Sequence, residues 1–351
     1  MKKTTEGASA FFTRIGLLRG GILVAVLIAM PEIFRAHWVW NMLFFTALYA
    51  AMSSSWNLIG GFAGYPSLGH AAFFGIGAYA IALMYKNTEI LKNGWMPFIS
   101  LPLIGLGCAL LALPIGWVAM RTRADVFAIV TITLLFVAQT LGYNLKGLTG
   151  GAQGAGVSTA PFKLDIFEQP FYFVAAGLLL LAMGITYYVI RTKLGMALTA
   201  IRADEDKARG VGVPTTGVKL LAFSVSVGIT GMAGAVWAYY IGFIYPQFAF
   251  DPLITIAIVL MTFLGGRATL WGPVLGAAIL MPAQQLLAYY VGGSQIYLIA
   301  YAAIFLIIML LLPRGILPTL LNKRRLAALA EQRTLAAGTS SSSAVSEGAH
   351  S

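Results

Sequence analysis

The sequence predicts an all-α, polytopic membrane protein with about ten transmembrane helices. Of its 351 residues, 59% are hydrophobic and only 10% are charged, and the mean hydropathy is +0.83. A soluble globular domain carries roughly 25% charged residues. Apolar stretches long enough to cross about 30 Å of hydrocarbon recur along the whole chain. These observations exclude a soluble domain and a disordered chain.

The candidate spans are windows of about twenty apolar residues bounded by charges or by Gly and Pro. They lie at 17–33, 39–59, 68–85, 97–120, 126–145, 171–190, 218–241, 252–264, 271–291 and 296–312. The windows 68–85 and 252–264 are short or rich in small residues, so re-entrant or broken helices are an alternative there. We expect the first span to be retained rather than cleaved, because no clear small-residue cleavage site accompanies it.

Basic residues are distributed unevenly between the two sides of these spans. If the N-terminus is cytoplasmic, the outer segments hold only Arg35, Lys86, Lys92, Lys146 and Lys163. The positive-inside rule then predicts that both termini are cytoplasmic. The domain prediction is a cytoplasmic segment at 1–16, a transmembrane domain at 17–315, and a tail at 316–351. This tail is basic and then rich in Ser and Ala, which predicts disorder.

The sequence offers no catalytic or metal-binding constellation. No Gly-Lys dipeptide occurs, so a phosphate-binding loop for ATP is missing, and His37, His70, His350 and the lone Cys108 are scattered. The net charge of +11 is dispersed between spans, which does not predict nucleic-acid binding. Acidic residues fall outside the spans or at their ends, which argues against an ion-coupled carrier. An uncoupled channel remains open.

The most informative connection is the long loop at 191–214. Its acidic residues precede its basic residues over 204–209, an order that favours a short helix. Gly210 and Gly212 can end that helix, and Pro214 starts the next span. A short helix facing the cytoplasm is a shape that another protein can bind, and a solvated loop without a partner is the alternative.

Four segments in this order resemble one known family. They are 55–79 (SWNLIGGFAGYPSLGHAAFFGIGAY), 147–154 (GLTGGAQG), 191–214, and 265–276 (GGRATLWGPVLG). Together they resemble the permeases of high-affinity branched-chain amino acid ABC transporters, over roughly 41–315. The loop departs from the Glu-Ala-Ala-type coupling motif of ABC permeases, because residues 203–208 read Ala-Asp-Glu-Asp-Lys-Ala.

The resemblance implies an ABC importer permease fold in the bacterial plasma (inner) membrane and a translocation path for Leu, Ile and Val. The implied partners are a second permease, two cytoplasmic ATPase subunits and an extracytoplasmic binding protein. ATP would be hydrolysed on the ATPase subunits, so neither a cofactor nor enzymatic activity is expected in this chain. A urea or sugar permease of the same superfamily is an alternative, and a stand-alone carrier or channel is an alternative of another class.

Three sets of site residues follow. By the family's pattern, the loop would dock in a cleft of the ATPase through Ala200, Arg202, Asp204, Glu205, Asp206, Lys207, Gly210 and Gly212. Small residues permit close approach or irregular backbone along a cavity, and we predict that the path is bordered by Gly64, Tyr65, Ser67, Gly69, His70, Gly75 and Gly77. A tightly packed helix, with His70 bonded to a neighbour, is the alternative. The outer loop at 146–170 would contact the binding protein through Thr149, Gly150, Gly151 and Gln153.

Overall fold

The computed structural model describes residues 36–87, 94–157, 160–163, 166–291 and 315–319, together with residues 25, 27, 29, 303 and 306. The helices are α1 (His37–Trp56, continued as a π-helix over Asn57–Phe62), α2 (His70–Asn87), α3 (Met96–Ile99), α4 (Leu101–Ala119), α5 (Ala124–Asn144), α6 (Lys146–Thr149), α7 (Glu168–Arg191), α8 (Lys193–Ala203), α9 (Glu205–Gly210), α10 (Thr215–Ile241), α11 (Pro246–Ala249), α12 (Pro252–Gly265) and α13 (Gly272–Val291). The short strands β1 (Ala155–Gly156) and β2 (Phe243–Ile244) form one antiparallel pair.

Each predicted span between residues 39 and 291 corresponds to a helix, which confirms the all-α class. Within the described residues, six helical segments are long and apolar enough to cross a membrane: His37–Phe62, Met96–Ala119, Ala124–Asn144, Glu168–Arg191, Thr215–Ile241 and Pro246–Gly265. The apolar helix His70–Tyr85 is shorter. The predicted spans at 17–33 and 296–312 lie outside the described residues except at isolated helical positions, as do the segment 1–16 and most of the tail.

The most buried of these spans is α10, in which 78% of an apolar 18-residue stretch is inside the bundle. It packs against α1, α2 and α4. The backbones of α10 and α2 are in direct contact: a Cβ atom added at Gly234 would overlap the carbonyl oxygen of Phe74. The outermost spans, by contrast, are the Met96–Ala119 segment and α5, in which only 28% and 17% of the equivalent apolar stretch are buried. They present large apolar side chains such as Leu103 and Ile129 to their surroundings, as surfaces that contact lipid do.

The predicted span at 68–85 starts inside the bundle rather than at its surface. The segment 63–69 has no helical structure, and α2 begins at His70, which lies beside Ser226 in the middle of α10. Irregular backbone at this depth needs hydrogen-bond partners. The side-chain hydroxyls of Thr131 and Thr255 supply two of them, accepting from the backbone N–H groups of Leu68 and Ala71, each at 2.9 Å. Within the windows 68–85 and 252–264, α2 and α12 are each continuous helices, and the irregular backbone lies before α2, at 63–69.

The loops gather at two opposite ends of the bundle. One end, called the α9 end here, brings together segments 63–69, 120–123, 192–214 and 266–271. The other, the β end, joins segment 145–157 to segment 242–245 through β1 and β2 and through the Val157 N–H, which donates to the Gly242 carbonyl at 2.9 Å. Since consecutive long helices run from one end to the other, all loops of one end lie on the same side of the membrane.

Candidate functional site

A buried charge cluster lies at the α9 end. The Lys219 ammonium, in the first part of α10, lies 2.7 Å from a carboxylate oxygen of Glu205, the first residue of α9. It also donates to the Met120 carbonyl at 3.2 Å and lies 4.0 Å from the centre of the Tyr65 ring. The Tyr65 hydroxyl donates to the other oxygen of Glu205. The cluster therefore joins α9 to α10, to the end of α4 and to segment 63–69.

The titration of the groups in this cluster reflects these contacts. Burial acts to raise the pKa of Glu205, but hydrogen bonds from Lys219 and Tyr65 outweigh it and hold the pKa below its ordinary value. Burial, with the hydrogen bond to Glu205, raises the pKa of the Tyr65 phenol. Arg209 lies 3.2 Å from Glu205 and adds a second cation. The carboxylate is thus the charged form at neutral pH.

The predicted short helix in the loop is present as α9. The Asp204 side chain accepts from the Lys207 N–H at 3.0 Å and caps the helix, and Gly212 follows it with a φ of +88°. Capping by Asp and a left-handed residue after the last turn are ordinary helix boundaries.

The predicted docking residues of this loop fall into two groups by exposure. Arg202, Asp206, Lys207, Gly210 and Gly212 are exposed, and Ala200, Asp204 and Glu205 are half-buried. The stem of Arg202 covers Gly64, whose added Cβ atom would lie 3.0 Å from the Arg202 Cγ. Burial, and then the neighbouring Arg267, lower the pKa of Arg202. The exposed group offers charges of both signs to a partner.

The predicted path residues are packed rather than open. His70 is fully buried, and its ring nitrogens lie 3.0 Å from the Ser67 hydroxyl and 2.7 Å from the Ser226 hydroxyl. Added Cβ atoms at Gly75 and Gly77 would overlap the Phe250 ring and the Gly231 carbonyl, respectively. The remaining members of the set, Tyr65, Ser67 and Gly69, are buried, and Gly64 is half-buried. In this conformation the segment is closed.

The predicted binding-protein contact forms a compact turn at the β end. The Thr149 hydroxyl donates to the Gly142 carbonyl at 2.6 Å and accepts from the Gly151 N–H at 3.1 Å. Gly150 and Gly151 both have positive φ, which suits glycine. Thr149 and Gly151 are thus buried parts of the turn, and Gln153 is exposed.

The sequence prediction missed the role of Lys219 in this site. The side chain of Lys219 is 1% exposed. A lone lysine in the first turns of an otherwise apolar helix is the signal that could have found it. Its acidic partner could not be chosen from the sequence, because three acidic residues stand together at 204–206. Within the described residues, no group of His, Cys, Asp and Glu side chains could hold a metal ion.

The long apolar helices and the two clustered loop ends define a multi-pass membrane protein. The family assignment is specific: the chain belongs to the family described as branched-chain amino acid transport system / permease component, whose model matches residues 39–313. It is therefore a transport permease component.

Curated relatives agree with this family. The chain is 30% identical over 301 residues to the high-affinity branched-chain amino acid transport system permease protein LivM of Salmonella typhimurium, covering 78% of this chain and 68% of the relative. It is 29% identical to LivM of Escherichia coli, with the same coverage. It is 27% identical over 233 residues to the probable branched-chain amino acid transport permease protein LivH of Methanocaldococcus jannaschii, covering 63% and 73%. No solved structure is a significant match.

Proposed function

We propose that this chain forms, with a second permease, the path by which an ABC importer moves leucine, isoleucine and valine across the bacterial inner membrane. An extracytoplasmic binding protein delivers the amino acid at the β end. The observation that carries the proposal is the family match over residues 39–313, which includes nearly all of the described bundle. The names of the relatives, LivM and LivH, support the choice of cargo.

ATP is hydrolysed on two ATPase subunits that bind the α9 end. The exposed charges of residues 200–212 support this docking, because a short capped helix with exposed charged side chains fits a cleft in a partner. The sequence supports it too, since no Gly-Lys dipeptide and hence no phosphate-binding loop is present. The α9 end is then cytoplasmic, and both termini lie on that side, in agreement with the positive-inside rule.

The path runs beside segment 64–77 in another conformation of the complex. Its small residues and its non-helical backbone at depth support this placement. The closed packing of His70 belongs to a resting state, and ATPase closure moves the helices apart as rigid bodies.

The test is uptake of radiolabelled L-leucine by vesicles that contain this chain, the second permease, the ATPase subunits and the binding protein. We expect uptake that needs both ATP and the binding protein. Uptake by this chain alone, without nucleotide, would replace the importer by a carrier or channel. ATP-driven uptake of urea or a sugar in place of leucine would show that the proposed cargo is wrong but would leave the importer mechanism in place.

Docking is tested separately by Asp206→Ala/Lys207→Ala. Both side chains are exposed, so the fold should persist while the ATPase subunits no longer co-purify. Arg123→Ala is the matched control, because Arg123 is exposed at the same end but lies outside the loop. Full recovery of the ATPase with the double variant would remove these two residues from the interface.

A further inference from the structure

The ammonium of Lys219 is enclosed completely by protein. Its side chain is 1% exposed, and it meets one carboxylate oxygen, one backbone carbonyl and one aromatic ring face. A buried charge is very unfavourable unless it is paired and hydrogen-bonded. These contacts are therefore required together: if Glu205 moved away, the Lys219 ammonium would lose its counter-ion in an apolar site.

The partners of Lys219 come from separate parts of the chain. Met120 is the residue that caps the C-terminus of α4, where the backbone carbonyls attract a cation. Tyr65 belongs to the non-helical segment that leads into α2, and Glu205 begins α9. A displacement of α9 that keeps the ion pair must carry α10, α4 and segment 63–69 with it.

Other attachments of α9 to the bundle are few. The helix has six residues, and among them Ala208 alone is buried. Arg209 pairs with Glu205 of the same helix and also donates to the Thr215 hydroxyl at the start of α10 at 3.4 Å, but the Arg209 side chain is exposed. The ion pair between Lys207 and Asp204 is internal to the loop and exposed. Among the described residues, the Glu205–Lys219 contact is the ion pair that joins α9 to a membrane helix, and its lysine is buried, whereas the hydrogen bond from Arg209 to Thr215 is longer and comes from an exposed side chain.

We propose that the Glu205–Lys219 ion pair is the mechanical link that transmits the movement of α9 to α4, α10 and segment 63–69. Glu205 acts as a positioning residue that faces the bundle, while the exposed side chains of the loop face the ATPase. This inference rests on the proposed importer function. It assigns a division of labour within the loop: inward transmission by Glu205 and outward docking by residues such as Asp206.

The readout is the number of leucine molecules transported per ATP hydrolysed by the complete complex in vesicles. Lys219→Met leaves Glu205 without its buried partner, and the double variant Glu205→Met/Lys219→Met replaces both charges by apolar side chains. Replacing both partners of a buried pair usually restores stability. We expect the double variant to regain the thermal stability that the single variant loses, while transport per ATP stays at least about fivefold below wild type.

Two further variants complete the design. Arg121→Met is the matched control, because it also removes a cation at the α9 end. The Arg121 guanidinium does not pair with a carboxylate there; it lies over the Trp117 ring, 3.7 Å from the ring centre. Its ratio should equal that of wild type. Tyr65→Phe removes one hydroxyl and leaves the charges paired, so it folds even if the methionine variants do not, and its ratio should fall about twofold. If the folded variants Lys219→Met, Glu205→Met/Lys219→Met and Tyr65→Phe all transported as much leucine per ATP as wild type, the proposed link would be overturned. Glu205 and Lys219 would then form a structural ion pair.

Hydrogen exchange distinguishes failure of this inference from failure of the proposed function. If the wild-type complex took up no leucine, the cargo would be wrong, and the link could still be measured without cargo. In the purified complex, the amides of 205–210 should exchange about tenfold faster in the double variant, with those of 193–203 unchanged. Equal exchange at 205–210 would show that the pair does not hold α9.

Discussion

Gly77 of α2 lies directly against the carbonyl oxygen of Gly231 of α10, with no room for a Cβ atom between them. The same pair of helices repeats this closeness at Gly234 and Phe74. Small residues at a helix interface let backbones approach and are typical of membrane bundles. This seam fixes the depth at which α2 begins, and hence the position of His70 beside Ser226.

We therefore expect Gly77→Ala to destabilise the protein by about 1–3 kcal/mol through overpacking. Thermal unfolding of the purified chain in detergent would measure it. Gly184→Ala is the matched control, since Gly184 lies in α7 with nothing within 4 Å of an added Cβ atom. Equal thermal unfolding midpoints for Gly77→Ala and Gly184→Ala would show that α2 and α10 accommodate the added methyl group at little cost.

A cysteine at position 67 should report opening of the path. Ser67 is fully buried, so Ser67→Cys should react slowly with a thiol reagent in the resting complex and several-fold faster during ATP turnover. The unmodified chain is the control, because its one cysteine, Cys108, is itself buried. A rate independent of ATP would argue for the alternative of a permanently packed segment.

Removal of His70 should be costly whatever its part in transport. His70→Ala deprives the Ser67 and Ser226 hydroxyls of their ring-nitrogen partner inside the bundle, so we expect a loss of about 1–3 kcal/mol. The unfolding midpoint measures that loss, and uptake per folded complex measures transport. If neither changed, His70 would have no part in the site.

At the β end, Gln153→Ala should weaken the response to the binding protein. Gln153 is exposed, so stability should not change, while the half-saturating concentration of binding protein for ATPase stimulation should rise about fivefold, the effect of about 1 kcal/mol at an interface. ATP hydrolysis without binding protein serves as the control and should keep its wild-type rate. An unchanged half-saturating concentration would place the contact elsewhere on this end.

The stability contribution of Glu205 should depend on pH in a defined direction. Its pKa is lowered in the folded protein, so the contribution is fully present above the ordinary glutamate pKa of about 4.3 and is lost as the pH falls through the lower folded-state pKa. Glu205→Gln should cost about 2 kcal/mol at pH 7. The difference in unfolding midpoint between wild type and Glu205→Gln should then be smaller at pH 3 than at pH 7. A difference of constant size would contradict the stabilising role of the Glu205 carboxylate.

The sequence was sufficient to predict the helices, because a run of apolar residues is a local property and a membrane leaves few other structures for it. The short helix at 205–210 was also predictable, since caps and charge order are local. The partner of Lys219 was not, because three acids in a row are equivalent until the fold brings one of them to α10. The closed environment of His70 likewise depends on Ser226, which is far away along the chain.

The unequal lengths of the helices have a consequence for the bilayer. At 1.5 Å per residue, α10 with 27 residues is about 40 Å long, whereas α12 with 14 residues is about 21 Å long, against roughly 30 Å of hydrocarbon. Together with α11, however, α12 forms the 20-residue segment Pro246–Gly265, which is long enough to cross and is more than half buried, so its neighbours shield it from lipid. The hydrophobic thickness that lipid must match is therefore set by the exposed Met96–Ala119 segment and α5. Lipid chain length acts on the protein first through these outer helices and reaches the buried seam of α2 and α10 only by way of their tilt.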